Sequence, residues 1–227
     1  MREPFASLFP ALRKRVVGIL SAHPECHGVD HTARVWWNAR MLAELEGADF
    51  AVVEYAAWLH DIGRVAEFAD EGRSCHATVG AERVPHILAD IGVRDDDFAA
   101  HVAECVRTHR YRRREGMEPA TLEAMVVYDA DKLDSMGAIG VGRAFHFAGR
   151  VGARVHNTAG EALGSESYSR EDSAYREYLV KLRHIHENLL TESGRQLGER
   201  RHRVMENFFR ELNRETGTDC SENERKE

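Results

Sequence analysis

Proline is scarce in this chain, five among 227 residues, and cysteine is unpaired in pattern. Cys26, Cys75, Cys105 and Cys220 form no CxxC pair and no zinc-finger spacing, so they read as isolated reduced thiols. No apolar run approaches a membrane span, and the opening segment, broken by Pro4 and Pro10, lacks the continuous apolar stretch of a signal peptide. The expected compartment is the cytoplasm, with no membrane partner. Net positive charge is missing too: 31 Lys and Arg stand against 38 Asp and Glu, leaving −7. An acidic surface argues against a general phosphate-backbone binder, so nucleic acid is not an expected partner. A strand–turn–strand rhythm is also absent. The segment MVVYDAD followed by MGAIGVG imitates a strand and a phosphate loop, but Gly137, Gly140 and Gly142 do not match GxGxxG. No internal repeat is evident.

What is present is helical periodicity. The pattern predicts a first helix over about Phe9–Ala22, with Pro10 in its first turn, and a second opened by Asp30 as N-cap and closed by Gly47. A third, about Phe50–His60, is apolar nearly all round and should be central, with Gly63 closing it. Further helices fit about His76–Ile91, Asp96–Thr108, Thr121–Leu133 and Met136–Ala148. Residues 149–169, rich in Gly and Ser, read as a loop. Long patterned segments over about Glu171–Leu190 and Glu192–Glu215 return the chain to helix. Trp36, Trp37 and Trp58 are expected in the core.

The doublet His60-Asp61 ends the apolar third helix. A carboxylate buried there without a countercharge costs several kcal/mol or shifts its pKa. A divalent cation removes that problem, and neighbouring helical positions, about 100° apart, can converge on one ion. His31, in the first turn of the second helix, and Asp131, near the end of the Thr121–Leu133 helix, supply further donors. Two imidazoles and two carboxylates suit Mn²⁺, Fe²⁺, Co²⁺, Ni²⁺ or Mg²⁺ in octahedral geometry better than a closed zinc site. Such a set leaves room for water and substrate oxygens.

The order His…His-Asp…Asp over three helices resembles the HD phosphohydrolase superfamily. The segments DHTARVWWNA, LHDIGR, CHATVGAERV and DADKLDSMGAIGVGRAF are similar to its bacterial YedJ/YpgQ-like subfamily, as is the closing YLVKLRHIHENLLTESGRQLGERRHRVMENFFREL. The resemblance covers roughly residues 20–213. It implies an all-α HD-domain bundle with additional C-terminal helices. One domain would span 1–215, with its core at about 20–150 and closing helices at about 170–213, before a flexible tail over 216–227. The implied activity is metal-dependent hydrolysis of nucleotide phosphoanhydride or phosphoester bonds, with nucleoside triphosphate pyrophosphohydrolysis known among relatives. A metal- and nucleotide-binding regulatory protein with little turnover is the second reading.

Some HD proteins carry two more histidines that bind a second ion. His76 and His109 fit that role, or alternatively a helix cap and a pocket proton carrier. Lys132, Arg143 and Arg64 are candidate phosphate contacts, with Asp134 or Asp129 as alternative ion-pair partners for the first two. Arg107, Arg110, Arg112, Arg113 and Arg114 read as a solvated loop, beside which Tyr111 is undecided. His184, His186 and His202 read as surface or packing groups, while His23 and His27 fall in a turn. The amphipathic C-terminal helices fit packing within the domain or across a homodimer.

Overall fold

A computed structural model describes residues 3–21, 28–110 and 118–218, and every regular element among them is helical. The helices form two compact units. One comprises the chain up to Asp134 together with Leu190–Gly194; the other comprises Ser135–Leu189 and the chain from Arg195 onward.

The first unit contains α1 (Phe5–Leu20), α2 (Val29–Glu46), α3 (Phe50–Leu59), α4 (Arg64–Ala69), α5 (His76–Asp90), α6 (Asp96–Thr108) and α7 (Leu122–Leu133). Every residue of α3 from Ala51 to Leu59 is buried, and α1, α2, α6 and α7 pack around it. Its one charged residue, Glu54, accepts a hydrogen bond from Trp36 Nε1 at 3.1 Å and pairs with Arg40 at 3.3 Å. Burial nonetheless pushes that carboxyl above its ordinary range. Asp49, Asp95 and Thr121 cap α3, α6 and α7 by accepting from the backbone N–H groups of Ala51, Phe98 and Ala124. Asn38 Nδ2 donates to the Ala130 carbonyl at 3.1 Å, tying α2 to α7.

Several local expectations are corrected. Helix α1 begins at Phe5, so Pro10 lies inside it and not in its first turn. Gly28 and not Asp30 caps α2; the Asp30 carboxylate instead takes Arg34 Nη1, one turn on, at 2.8 Å. Gly63 opens the unforeseen α4 rather than closing α3. Trp58 is buried as expected and Trp36 is half-buried, with the guanidinium groups of Arg13 and Arg40 at 5.7 and 5.0 Å from its ring centre. Trp37 is 66% exposed, because the buried face of α2 runs through Val35, Asn38, Ala39 and Leu42 and leaves position 37 outward.

The second unit contains α8 (Gly137–Arg150), α9 (Ala159–Leu163), α10 (Ala174–Val180) and most of α11 (Glu192–Glu215). Tyr175, Tyr178, Met205 and Phe209 are buried in it, with Tyr178 and Phe209 stacked at 4.4 Å. The glycine-rich MGAIGVG run is helix: Gly137 (φ +67) starts α8, and a Cβ on Gly140 would lie 2.4 Å from the Ser135 carbonyl oxygen. The expected loop over 149–169 contains α9, opened by a Thr158–Glu161 capping box. The expected helix over 171–190 is interrupted at Lys181, and two 3-10 turns, Leu182–His184 and His186–Asn188, follow α10. His184 and His186 therefore sit in turns, and His186 stacks on His202 at 3.9 Å.

Two close approaches fix the frame around the third helix and its neighbours. A Cβ on Gly63 would lie 2.0 Å from the His76 carbonyl oxygen and 2.7 Å from Gly80 N, so the turn after α3 rests directly on the backbone of α5. On α7, the buried Asp129 carboxylate accepts from Leu190 N (2.9 Å), Thr191 N (2.8 Å) and Thr191 Oγ1 (2.6 Å). Gly194 packs on the same carboxylate, where a Cβ would come within 2.2 Å of Oδ2. Gly63→Ala should destabilise the protein by on the order of 3 kcal/mol, since both clashing groups are backbone. Urea denaturation measures this, and an unchanged midpoint would show that the contact can relax.

Candidate metal centre

Six donor side chains of the first unit meet at helix ends. His31 lies in the first turn of α2, His60 and Asp61 follow α3, His76 opens α5, His109 follows α6, and Asp131 lies in the last turn of α7. His31, His60, Asp61, His76 and His109 are each 0–2% exposed. Candidate donor atoms fall into two sets, each within 4.8 Å: His31, His60 and Asp131 in one, Asp61, His76 and His109 in the other.

Asp61 faces both sets. Its Oδ2 lies 3.6 Å from His31 Nε2 and 3.5 Å from His60 Nε2, while its Oδ1 lies 3.6 Å from both His76 Nε2 and His109 Nε2. His31 Nε2 is 3.2 Å from His60 Nε2 and 3.4 Å from Asp131 Oδ1. The four ligands predicted from sequence thus come together, and so do His76 and His109.

The outer nitrogen of each ring determines what the inner one offers. Nδ1 of His60 donates to the Ala57 carbonyl at 2.8 Å and Nδ1 of His109 to the Val106 carbonyl at 2.6 Å. Nδ1 of His31 donates to Asp134 Oδ2 at 2.7 Å, and Nδ1 of His76 meets Glu67 at 3.0 Å. With the hydrogen on Nδ1, each neutral ring turns an Nε2 lone pair toward the Asp61 and Asp131 carboxylates. For His60, His76 and His109, acceptors facing the Asp61 carboxylate at 3.5–3.6 Å do not satisfy it, and His76 Nε2 is buried with no hydrogen-bond partner. Cations resolve that conflict, so the donor set fits divalent metal ions with mixed nitrogen and oxygen ligation.

Titration reflects the same crowding. Burial lowers His60 to about 4 and His76 to about 3, with neighbouring histidines adding to the effect. Burial also opposes protonation of His31, but hydrogen bonds with Asp131 and Asp134 outweigh it and raise its pKa; a proton there substitutes for a cation. Burial would raise Asp131, yet Lys132 and His31 hold it well below the carboxylate range.

Two predicted phosphate contacts are anchored within this unit. Arg64 Nε donates to Asp61 Oδ1 at 3.0 Å and its Nη1 to Glu67 Oε2 at 2.7 Å. Lys132 Nζ pairs with Asp131 Oδ2 at 2.6 Å and lies 5.1 Å from the Tyr128 ring centre, so neither Asp129 nor Asp134 is its closest partner. The side chains of Asp131, Lys132 and Arg64 are 15%, 12% and 23% exposed, which makes theirs the solvent-reached edge of the cluster. Arg143 lies on α8 in the second unit. Arg107 pairs with Glu104, whereas Arg110 reaches Cys75 Sγ at 3.1 Å and Glu67 at 3.6 Å. Tyr111, Arg112, Arg113, Arg114, His23, His27, Cys26, Cys220 and the tail beyond residue 218 lie outside the described residues.

Sequence reasoning missed Glu67 and Arg34, and offered Asp134 only as an ion-pair partner for Lys132 or Arg143. Asp134, three residues after Asp131, holds His31 and is itself gripped by Arg34 Nε at 2.7 Å. The DADKLD spacing was the available signal; for Glu67, on an unpredicted helix, there was none.

Comparison with known proteins accords with this geometry. Residues 28–136 match the HD domain family model. The YpgQ protein of Bacillus subtilis strain 168 is 32% identical over 204 residues, covering 90% of this chain and 91% of that protein. This chain belongs to the HD-domain family. The crystal structure of B. subtilis YpgQ in complex with ADP is similar at a TM-score of 0.71 and 28% identity, over 93% of this chain and 96% of that one. An HD-superfamily hydrolase from Bacillus thuringiensis gives a TM-score of 0.71 at 26% identity, over 95% and 100% of the two chains. The HD family belongs to the metal-dependent phosphohydrolase class. No helix among the described residues is long and apolar enough to cross a membrane.

For chelator-treated protein the pH dependence has a definite sign. Between pH 6.5 and about 4 the unfolded chain takes up protons that folded His60 and His76 refuse. Stability should therefore fall as pH drops through that window, read as a falling thermal midpoint. His76→Gln should flatten the dependence; an unchanged slope would show that His76 is not held neutral.

Proposed function

We propose that this protein is a two-cation phosphohydrolase acting on nucleotide phosphoanhydride or phosphoester bonds. The observation that carries the reading is Asp61, whose two oxygens address separate three-residue donor sets. His31, His60 and Asp131 would hold one ion, His76 and His109 the other, and Asp61 both. This assigns the His76–His109 pair to a second ion in preference to a cap and a proton carrier. Divalent cations supply Lewis acidity toward a phosphoryl oxygen and lower the pKa of bound water. Mn²⁺, Fe²⁺, Co²⁺, Ni²⁺ and Mg²⁺ all suit the donors.

The remaining residues do the positioning. Arg64 positions Asp61 through its Oδ1 contact, which favours the orientation that faces the imidazoles. Lys132 stands at the solvent-reached edge with its ammonium beside Asp131, placed to meet a substrate phosphate and offset developing negative charge. Nucleotide as the substrate class is supported by the ADP complex of YpgQ.

The test is a panel of nucleoside tri- and diphosphates and simple phosphodiesters, assayed after chelation and after adding back each cation. Turnover should vanish on chelation and return with metal, and Asp61→Ala should lose more than about a hundredfold. Phosphorus NMR of the products separates pyrophosphate release from phosphate release. Turnover that survives both chelation and Asp61→Ala would refute the scheme. A nucleotide that binds with metal and persists unhydrolysed would favour the regulatory reading instead.

A further inference from the structure

The four imidazoles are held from behind in two different ways, and the difference is distributed evenly between the donor sets. In each set one ring is backed by a main-chain carbonyl three residues upstream: Ala57 for His60, Val106 for His109. The other ring in each set is backed by a carboxylate side chain: Asp134 for His31, Glu67 for His76. A carbonyl belongs to the helix end itself and comes with the fold. A carboxylate is a separate choice, and it makes an imidazole a stronger donor than a carbonyl does.

We infer that Glu67 is the positioning residue for the cation at His76 and His109, as Asp134 is for the cation at His31 and His60. The inference rests on the two-cation reading above. Glu67 sits on α4, one turn after Arg64, and the pair forms a relay. Arg64 donates both to Asp61 and to Glu67, and Glu67 in turn holds His76 Nδ1. One short helix thereby orients two of the three members of its set, the shared carboxylate and one imidazole. Arg110 Nη2, at 3.6 Å, adds a second cation to Glu67. Burial would raise the Glu67 carboxyl, but its bonds with His76 and Arg64 keep it below its ordinary range. Asp134 is gripped in parallel by Arg34, through Nε at 2.7 Å and Nη2 at 3.2 Å. Each set thus has its own Arg–carboxylate–His chain, and the two share no residue.

Separate chains predict separable effects. Metal-stripped wild type, Glu67→Gln, His76→Gln and the double variant are titrated with Mn²⁺, counting free ion by electron paramagnetic resonance. The spectrum of the bound ions also reports whether two of them are exchange-coupled. Wild type should take two ions with a coupled spectrum. Glu67→Gln keeps an acceptor but loses the charge, and should weaken one ion by roughly 10- to 100-fold, leaving an uncoupled signal at limiting Mn²⁺. Added to His76→Gln it should change Mn²⁺ binding no further, because the retained amide oxygen still accepts from Arg64 and the lost charge acts through that ring. If Glu67→Gln fails to fold, as judged by circular dichroism, Glu67→Asp, which keeps the charge but shortens the reach, is read in the same way. Two ions bound by the Glu67 variant with wild-type affinity overturn the assignment alone, as does a further loss in the double variant. A wild type that binds fewer than two ions overturns it together with the two-cation reading.

Discussion

Lone pairs facing lone pairs are the constraint on which the first unit turns. Backbone carbonyls and two carboxylates claim the outer nitrogen of four histidines, and this forces the inner nitrogens onto Asp61 and Asp131. A buried cluster of this composition opposes its own assembly, because acceptors at such spacing repel. The surrounding helices hold it together. The cluster is built where five helices begin or end, and the fixed backbone there leaves the side chains little room to escape. The same residues are well suited to bind cations tightly, since the reorganisation that loosely placed ligands would require is already done.

How much of this was readable in sequence depended on whether the signal was local. Helix α3 announced itself by being apolar on all sides, and α6, α7 and α11 by their period. The ligand order His31, His60-Asp61, Asp131 was legible because burying such residues without a partner is unfavourable. The resemblance offered His76 and His109 as holders of a second ion, but their convergence on the second oxygen of Asp61 was not legible in pattern or spacing. It depends on Gly63 letting a turn rest against α5, a contact between segments that no periodicity encodes. Helix α4 was hidden for a related reason: at six residues it is too short to show a period, and its Glu67 looks like an ordinary surface charge.

Where propensity misled, a neighbouring side chain explains the outcome. Asp30 is an excellent capping residue, yet Arg34 one turn ahead competes for its carboxylate and the helix is capped two residues earlier, at Gly28. Trp37 has the composition of a core residue but falls between the buried positions of α2. Near residue 181 the amphipathic pattern continues while the backbone does not, as Lys181 leaves the helical region and tight turns carry the chain onward.

The Asp129 clamp bears on how the domain can be cut. The segment that satisfies this carboxylate returns from far along the chain, at Leu190, Thr191 and Gly194, well past the stretch matching the HD family model. A fragment ending near residue 136 would keep all six metal-facing side chains. It would also strand a charge in the middle of α7, two residues from Asp131, stripped of the amides and hydroxyl that solvate it. The minimal folding unit is therefore discontinuous, and a contiguous excision drawn at the family boundary would be expected to misfold from that helix outward.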